Sequence, residues 1–236
     1  LAAITDAARS FDQKDLVERV NYSATSQIAN MCAKKNVPLI FPSSTSVYGT
    51  QENQVDEESG PDSLRPQSPY AETKLAEEKL IEVCAKEKGL RYAIVRLGTI
   101  FGPSPGMRFH TAVNRFCWQA VKGEPLTVWT TAYDQMRPYL GLHDAARAFF
   151  HILNNDLFDN RVYNVLSKNS TVRHVIDSIR SEIPDLEVKF VDNQIMNQLS
   201  YEVGNARFKN TGFSFEETIV DGVTKTLATL RNSNNC

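Results

Sequence analysis

The sequence predicts an α/β fold organised on a doubly wound parallel sheet, and three observations carry that prediction. Helical and strand-like segments alternate: an apolar-periodic run over 16–35, a short apolar run over 38–41, a helical run over 70–88 closed by Gly89, and a second apolar run over 91–97. That is the βαβ order a parallel sheet requires. A hydroxyl cluster, Ser43, Ser44, Thr45 and Ser46, falls where the first strand ends, the edge at which open α/β sheets bind ligands. Finally, Tyr70 and Lys74 stand one helical turn apart at the start of the second helical run.

The remaining elements follow in order. Between Gly49 and Pro69 the chain turns acidic and proline-rich, with Val55-Asp56-Glu57-Glu58 followed by Pro61 and Pro66, which reads as a solvated loop without a catalytic role. After Leu97 the pattern becomes irregular. It gives a helix over 109–122, a short strand over 126–129, then the segment Arg137-Pro138-Tyr139, and a further short strand over 161–165. Gly98, Gly102 and Gly106 are evenly spaced, but Pro103 and Pro105 intervene and no helix signature follows, so this is a loop and not a phosphate cradle. There is no internal repeat.

Composition narrows the class. With 42% hydrophobic residues over 236 positions the chain can bury a substantial core, and a formal charge of −2 offers nothing to nucleic acid or an anionic membrane. No apolar run reaches about 18 residues, and none resembles a signal peptide. Cys32, Cys84, Cys117 and Cys236 lack paired spacing and read as reduced thiols, while His110, His143, His151 and His174 form no ligand pattern, so no metal site is expected.

Tyr70-Ala71-Glu72-Thr73-Lys74 is the chemically pointed motif. A free phenol titrates near about 10, too high for proton transfer at neutral pH, and an adjacent ammonium favours the phenolate, so Lys74 is expected to lower the Tyr70 pKa. Upstream, Ser44 is delivered to the same sheet edge.

These residues resemble the extended short-chain dehydrogenase/reductase family, in its nucleotide-sugar epimerase and dehydratase branch. The segments that carry the resemblance run through most of the chain: Leu1-Ala2-Ala3, Val20-Asn21-Tyr22-Ser23-Ala24-Thr25, Ser43-Ser44-Thr45-Ser46-Val47-Tyr48-Gly49, Ser68-Pro69-Tyr70-Ala71-Glu72-Thr73-Lys74, Arg96-Leu97-Gly98-Thr99-Ile100-Phe101-Gly102-Pro103, and Arg137-Pro138-Tyr139 with Asp144. The resemblance implies a Rossmann-like NAD(P)-binding domain over 1–97 and about 138–165, with a smaller C-terminal α/β substrate domain over about 98–137 and 166–236. It implies Ser44, Tyr70 and Lys74 as catalytic residues. Leu1, Ala2, Ala3, Asn21, Ser43, Tyr70, Lys74 and Ile100 would contact the cofactor; Ser44, Thr45, Thr99, Arg108 and Arg137 would contact the substrate. Arg137 suits a diphosphate, which a guanidinium can hold through two oxygens at once.

The resemblance further implies NAD as cofactor, with NADP not excluded, a nucleotide-sugar substrate, a cytoplasmic location, and a homodimer formed through the Tyr70 helix and its neighbour. The family's opening strands and glycine-rich turn have no counterpart here, so about two βαβ units, on the order of 60 residues, are expected to be missing and NAD to bind these 236 residues poorly. Family dehydratases carry an Asp-Glu pair directly after the catalytic Ser/Thr, and decarboxylases a Glu two positions after it. Thr45 and Ser46 occupy those places. An epimerase that works through a transient 4-keto sugar is the leading expectation, with a keto-sugar reductase and a noncatalytic family member as alternatives. Thr99 stands where the family usually has Asn, and Pro138 and Gly141 replace the Asp and His common after the Arg.

Overall fold

The computed structural model describes residues 3–192 and 200–233. Helix α1 (Lys14–Val17) passes through a π-helical segment, Glu18–Tyr22, into α2 (Ser23–Lys35), and β1 (Leu39–Ser44) ends in a 3-10 turn, Thr45–Tyr48. Next come α3 (Pro69–Lys88), β2 (Tyr92–Leu97), β3 (Thr99–Phe101), α4 (Ala112–Val121), β4 (Leu126–Trp129), β5 (Met136–Gly141), α5 (Leu142–Asn154) and β6 (Arg161–Val165). The chain continues with β7 (Lys168–Thr171), α6 (Val172–Glu182), β8 (Val188–Val191), α7 (Ala206–Lys209) and α8 (Ile219–Ser233).

The first sheet has the order β1-β2-β6 and both ladders are parallel. Side chains on β2 alternate between its faces, as a pleated strand requires. Tyr92 and Ile94 pack with Ala29 of α2 and with Ile81 and Cys84 of α3, whereas Ala93 and Val95 pack with Ala145, Ala148 and Ile152 of α5 and with Phe208. Helices therefore cover both faces, and this explains the continuous apolar run of the sequence. A second sheet pairs β3 with β5 in parallel and β5 with β7 antiparallel; β4 and β8 form a parallel pair. Around these, α4, α6 and α8 enclose a further core that includes Phe116, Ile176, Val223 and Leu227. No helix among the described residues is long and apolar enough to cross a membrane.

Local chemistry accounts for α3. The Ser68 hydroxyl accepts from Ala71 N at 3.2 Å, Pro69 occupies the first helical position, and Gly89 ends the helix at φ 70°. Gly49 closes the turn after β1 at φ 65°, where a Cβ would stand 1.9 Å from the Arg65 carbonyl oxygen, so only glycine fits.

Two expectations are corrected. Arg137-Pro138-Tyr139 is not irregular: it forms the middle of β5, between β3 and β7. The acidic loop is docked and not simply solvated. Glu57 Oε1 accepts from Asn164 N at 2.5 Å, Glu58 pairs with Arg207, and Val55 bridges to Val203.

Candidate active site

In-register pairing of β1 with β2 sets Ser44 opposite Leu97 at the carboxyl end of the sheet. The capped start of α3 presents Tyr70 there on its first turn, where Tyr70 N donates to the buried Ser10 hydroxyl at 3.2 Å. The Ser44 hydroxyl neighbours the Tyr70 phenol and favours its ionised form. Ser44 Oγ accepts from Ser46 N at 3.2 Å and Ser46 Oγ at 2.9 Å. The turn that follows the strand thus orients the serine beside the phenol.

Lys74 lies one turn further along the same helix, 5% exposed, but its ammonium is engaged elsewhere. It sits 3.3 Å from Glu77 Oε2 and 4.5 Å from the centroid of the Phe41 ring. The expected lowering of the Tyr70 pKa is therefore reversed. Burial pushes the phenol up to about 12 and the Glu77 charge adds to the rise, while the Ser44 hydroxyl and the Arg108 charge oppose it. Lys74 itself is lowered, chiefly by burial and against the attraction of Glu77 and Glu78.

The other sequence-derived candidates divide into groups. Leu1 and Ala2 lie outside the described residues; Ala3 is half-buried in the segment that leads to Ile4. Asn21 is buried and fully committed to that segment, donating to Ile4 O and accepting from Ile4 N, each at 2.9 Å, so it shapes the loop and does not reach outward. Ser43 also points inward, donating to Glu78 Oε1 at 2.5 Å. Thr45 is buried, with its hydroxyl 3.2 Å from Leu97 O and 3.3 Å from the Tyr201 hydroxyl. Thr99 pairs with Tyr139 across β3 and β5, and Ile100 is half-buried against the core beneath α5.

The two arginines serve different neighbours. Exposed Arg108 contacts the Thr5 hydroxyl and its charge acts on Tyr70. Arg137 donates to Gln135 Oε1 at 3.1 Å, its buried Nε has no partner among the described residues, and its charge acts on Tyr139 and Tyr201.

Sequence reasoning missed the carboxylates behind the motif. Glu77 Oε1 accepts from Thr25 of α2 at 2.5 Å. Glu78 is held by Arg96 at 2.6 and 3.0 Å, and Arg96 reaches the Tyr48 hydroxyl at 2.9 Å. The signal was available in the spacing: Tyr70, Lys74, Glu77, Glu78 and Ile81 share one helical stripe, and buried Ile81 marks that stripe as the inner face.

Taken together, the residues can hold an oxygen between Ser44 and Tyr70 and move a proton there. They fit the nicotinamide-ribose end of a dinucleotide: the Tyr70 phenol and the Ser44 hydroxyl stand at the sheet edge, and one turn along α3 Lys74 offers a buried ammonium whose donors beyond Glu77 have no acceptor among the described residues. No glycine-rich turn that would cradle the pyrophosphate occurs in the sequence.

The sequence model of the NAD dependent epimerase/dehydratase family matches residues 1–165. The chain belongs to this family. Among its relatives, an uncharacterized UDP-glucose epimerase, YtcB, from Bacillus subtilis is 29% identical over 148 residues, covering 61% of this chain and 44% of that protein. The trifunctional UDP-glucose 4,6-dehydratase, 3,5-epimerase and UDP-4-keto-L-rhamnose-reductase RHM1 of Arabidopsis thaliana is 28% identical over 193 residues, 80% of this chain and 28% of that one. The chain thus spans less than half the length of these relatives. MoeE5 in complex with UDP-glucose and NAD superimposes with a TM-score of 0.86 at 25% identity, over 99% of this chain and 78% of MoeE5. The epimerase/dehydratase fold, with parallel sheets and helices on both sides, is therefore the setting in which Ser44, Tyr70 and Lys74 stand.

Proposed function

We propose that this epimerase/dehydratase family chain acts in an NAD-dependent 4-epimerase of a nucleotide-sugar, with Ser44, Tyr70 and Lys74 as its catalytic residues. The observation that carries the reading is the placement of the Ser44 hydroxyl next to the Tyr70 phenol at the sheet edge, in a site whose next positions, Thr45 and Ser46, bear no carboxylate. Bound NAD supplies hydride acceptance at the sugar carbon and hydride return to the resulting ketone. Ser44 orients the reacting oxygen. Tyr70, once ionised, takes the proton from the sugar hydroxyl and returns it to the same oxygen when hydride comes back to the opposite face of the carbon, and β-elimination is disfavoured because no extra acid and base flank Ser44. Arg137, with a buried Nε that has no partner among the described residues, is the residue for the substrate diphosphate; Thr45, Thr99 and Arg108 would be further substrate contacts.

In this reading the β1-β2-β6 sheet with α2, α3 and α5 is the cofactor half, covering 1–97 and about 138–165, and the remainder is the substrate half. MoeE5, bound to UDP-glucose and NAD, supports both ligand assignments. A one-way NAD(P)H-dependent reduction of a keto-sugar is the second reading. The protonated resting state of Tyr70 favours it, because carbonyl reduction needs a proton donor.

The test is incubation of the protein with NAD and a panel of UDP-, GDP- and dTDP-hexoses, with products resolved by NMR. A C4 epimer of a UDP-hexose is expected; a 4-keto-6-deoxy product defeats the assignment, and net consumption of NADPH with a keto-sugar selects the reductase. Pairing of two copies through α2 and α3 belongs to the same proposal, supported by Ile28 (50% exposed) and Met31 (65%) on α2 and Val83 (49%) on α3. Met31→Glu should shift the sedimenting species from dimer to monomer. An unchanged sedimentation coefficient removes that face from the interface.

A further inference from the structure

α3 carries adjacent carboxylates, and both are buried, Glu77 at 1% and Glu78 at 2% exposure. Glu78 is fully matched by Arg96 and the Ser43 hydroxyl. Glu77 is not. Its Oε1 is fixed by Thr25, while Oε2 is buried and, among the described residues, receives no aligned hydrogen bond and has Lys74 Nζ, at 3.3 Å, as its cationic neighbour. A carboxylate shut away from water depends on that ammonium to remain charged. The same ammonium, one turn from Tyr70, is the group that a phenolate would need.

We propose that Glu77 is a positioning residue: through a buried ion pair it holds the Lys74 ammonium away from Tyr70 and keeps the phenol protonated until Lys74 is drawn off by a bound ligand. The proposal rests on reading Tyr70 as the proton-transfer group, and it deepens that reading by adding a control to it. The groups that face Tyr70 and Lys74 leave Glu77 dominant. From β1 come the neutral Ser44 hydroxyl and the Phe41 ring, and from α2 the neutral Thr25. On α3 itself the second carboxylate, Glu78, is neutralised by Arg96. Arg108, ahead of α4, is exposed and its field is screened by solvent. Thr25 anchors the carboxylate to a second helix, so Glu77 cannot simply follow Lys74 when the ammonium moves.

The test needs neither cofactor nor turnover. Tyr70 is titrated by NMR of ring-labelled tyrosine in the chain as it stands, with Tyr70→Phe to assign the signal, and compared with Glu77→Gln and with Glu77→Gln combined with Lys74→Met. Glu77→Gln keeps the shape and an oxygen for Thr25. It should lower the Tyr70 pKa by at least about one unit, a tenfold change in proton affinity, and at least about half of that fall should vanish when Lys74 is also removed. No movement in Glu77→Gln overturns the proposal. So does an equal fall with and without Lys74, because the effect would then belong to the carboxylate's field and not to the ammonium it restrains. If Glu77→Gln fails to fold, side-chain NMR of the wild-type protein decides: a charged Glu77 carboxylate beside a charged Lys74 ammonium at neutral pH supports the pair, and a neutral form of either overturns it. Because these readouts are free of substrate, a negative result leaves the nucleotide-sugar assignment standing. Inactivity toward nucleotide-sugars leaves the titration standing in the same way.

Discussion

At the scale of single residues, the chemistry turns on which neighbour each polar group is given. Ser44 is held by Ser46 and its hydroxyl neighbours Tyr70, so it is aimed before any ligand arrives. That hydroxyl favours the phenolate, and the sign of its loss follows directly. Ser44→Ala should raise the Tyr70 pKa further and move the alkaline-going limb of the pH-rate profile to higher pH, as measured with buffered steady-state kinetics. An unmoved limb would show that Ser44 does not act on the phenol. The sequence made Ser44, Tyr70 and Lys74 legible because their roles are tied to fixed spacing on a strand end and a helix. It could not show that Lys74 faces Glu77, because the rotamer of the lysine is settled by Phe41 beneath its ammonium and by Glu77, which Thr25 holds in place, and Phe41 and Thr25 are distant along the chain.

At the scale of elements, α3 is the piece on which the site is built. Ser68 and Gly89 bound it, and the two carboxylates tie it sideways: Glu77 to α2, Glu78 to β1 through Ser43 and to β2 through Arg96. Arg96 and Glu78 are both nearly inaccessible to water, so Glu78→Ala strands a guanidinium and should cost about 3–5 kcal/mol in chemical denaturation, whereas exposed pairs such as Arg173–Asp134 are screened by solvent and contribute little. A loss below about 1 kcal/mol would mean that Arg96 finds another partner. The strands of this region were unevenly legible. β1 and β2 announce themselves as apolar runs, with β1 reaching further, to Ser44, than its apolar part suggests. β3 has only the three residues Thr99–Phe101, and β5 contains Pro138; their pairing with each other and with β7 is non-local and leaves little periodicity to read.

At the scale of the whole molecule, buried phenols link stability to alkaline pH. Burial raises Tyr70, Tyr92 and Tyr139 to about 12, and Cys117 likewise. A phenol whose folded pKa exceeds its unfolded value holds its proton in the folded state after the unfolded chain has released it. Its contribution is therefore complete below about pH 10 and is lost as pH rises toward 12, at about 1.4 kcal/mol per unit for each such group. Urea midpoints measured across that window should fall steeply; a flat profile would show that the phenols ionise without unfolding. In the proposed epimerase reading turnover depends on one of these phenols, and Tyr70→Phe isolates it, since the change removes a single hydroxyl and leaves the ring packed. Steady-state epimerisation of a UDP-hexose with NAD present should fall by about 100- to 10,000-fold with KM little changed. Near-wild-type turnover in Tyr70→Phe would contradict proton transfer through Tyr70.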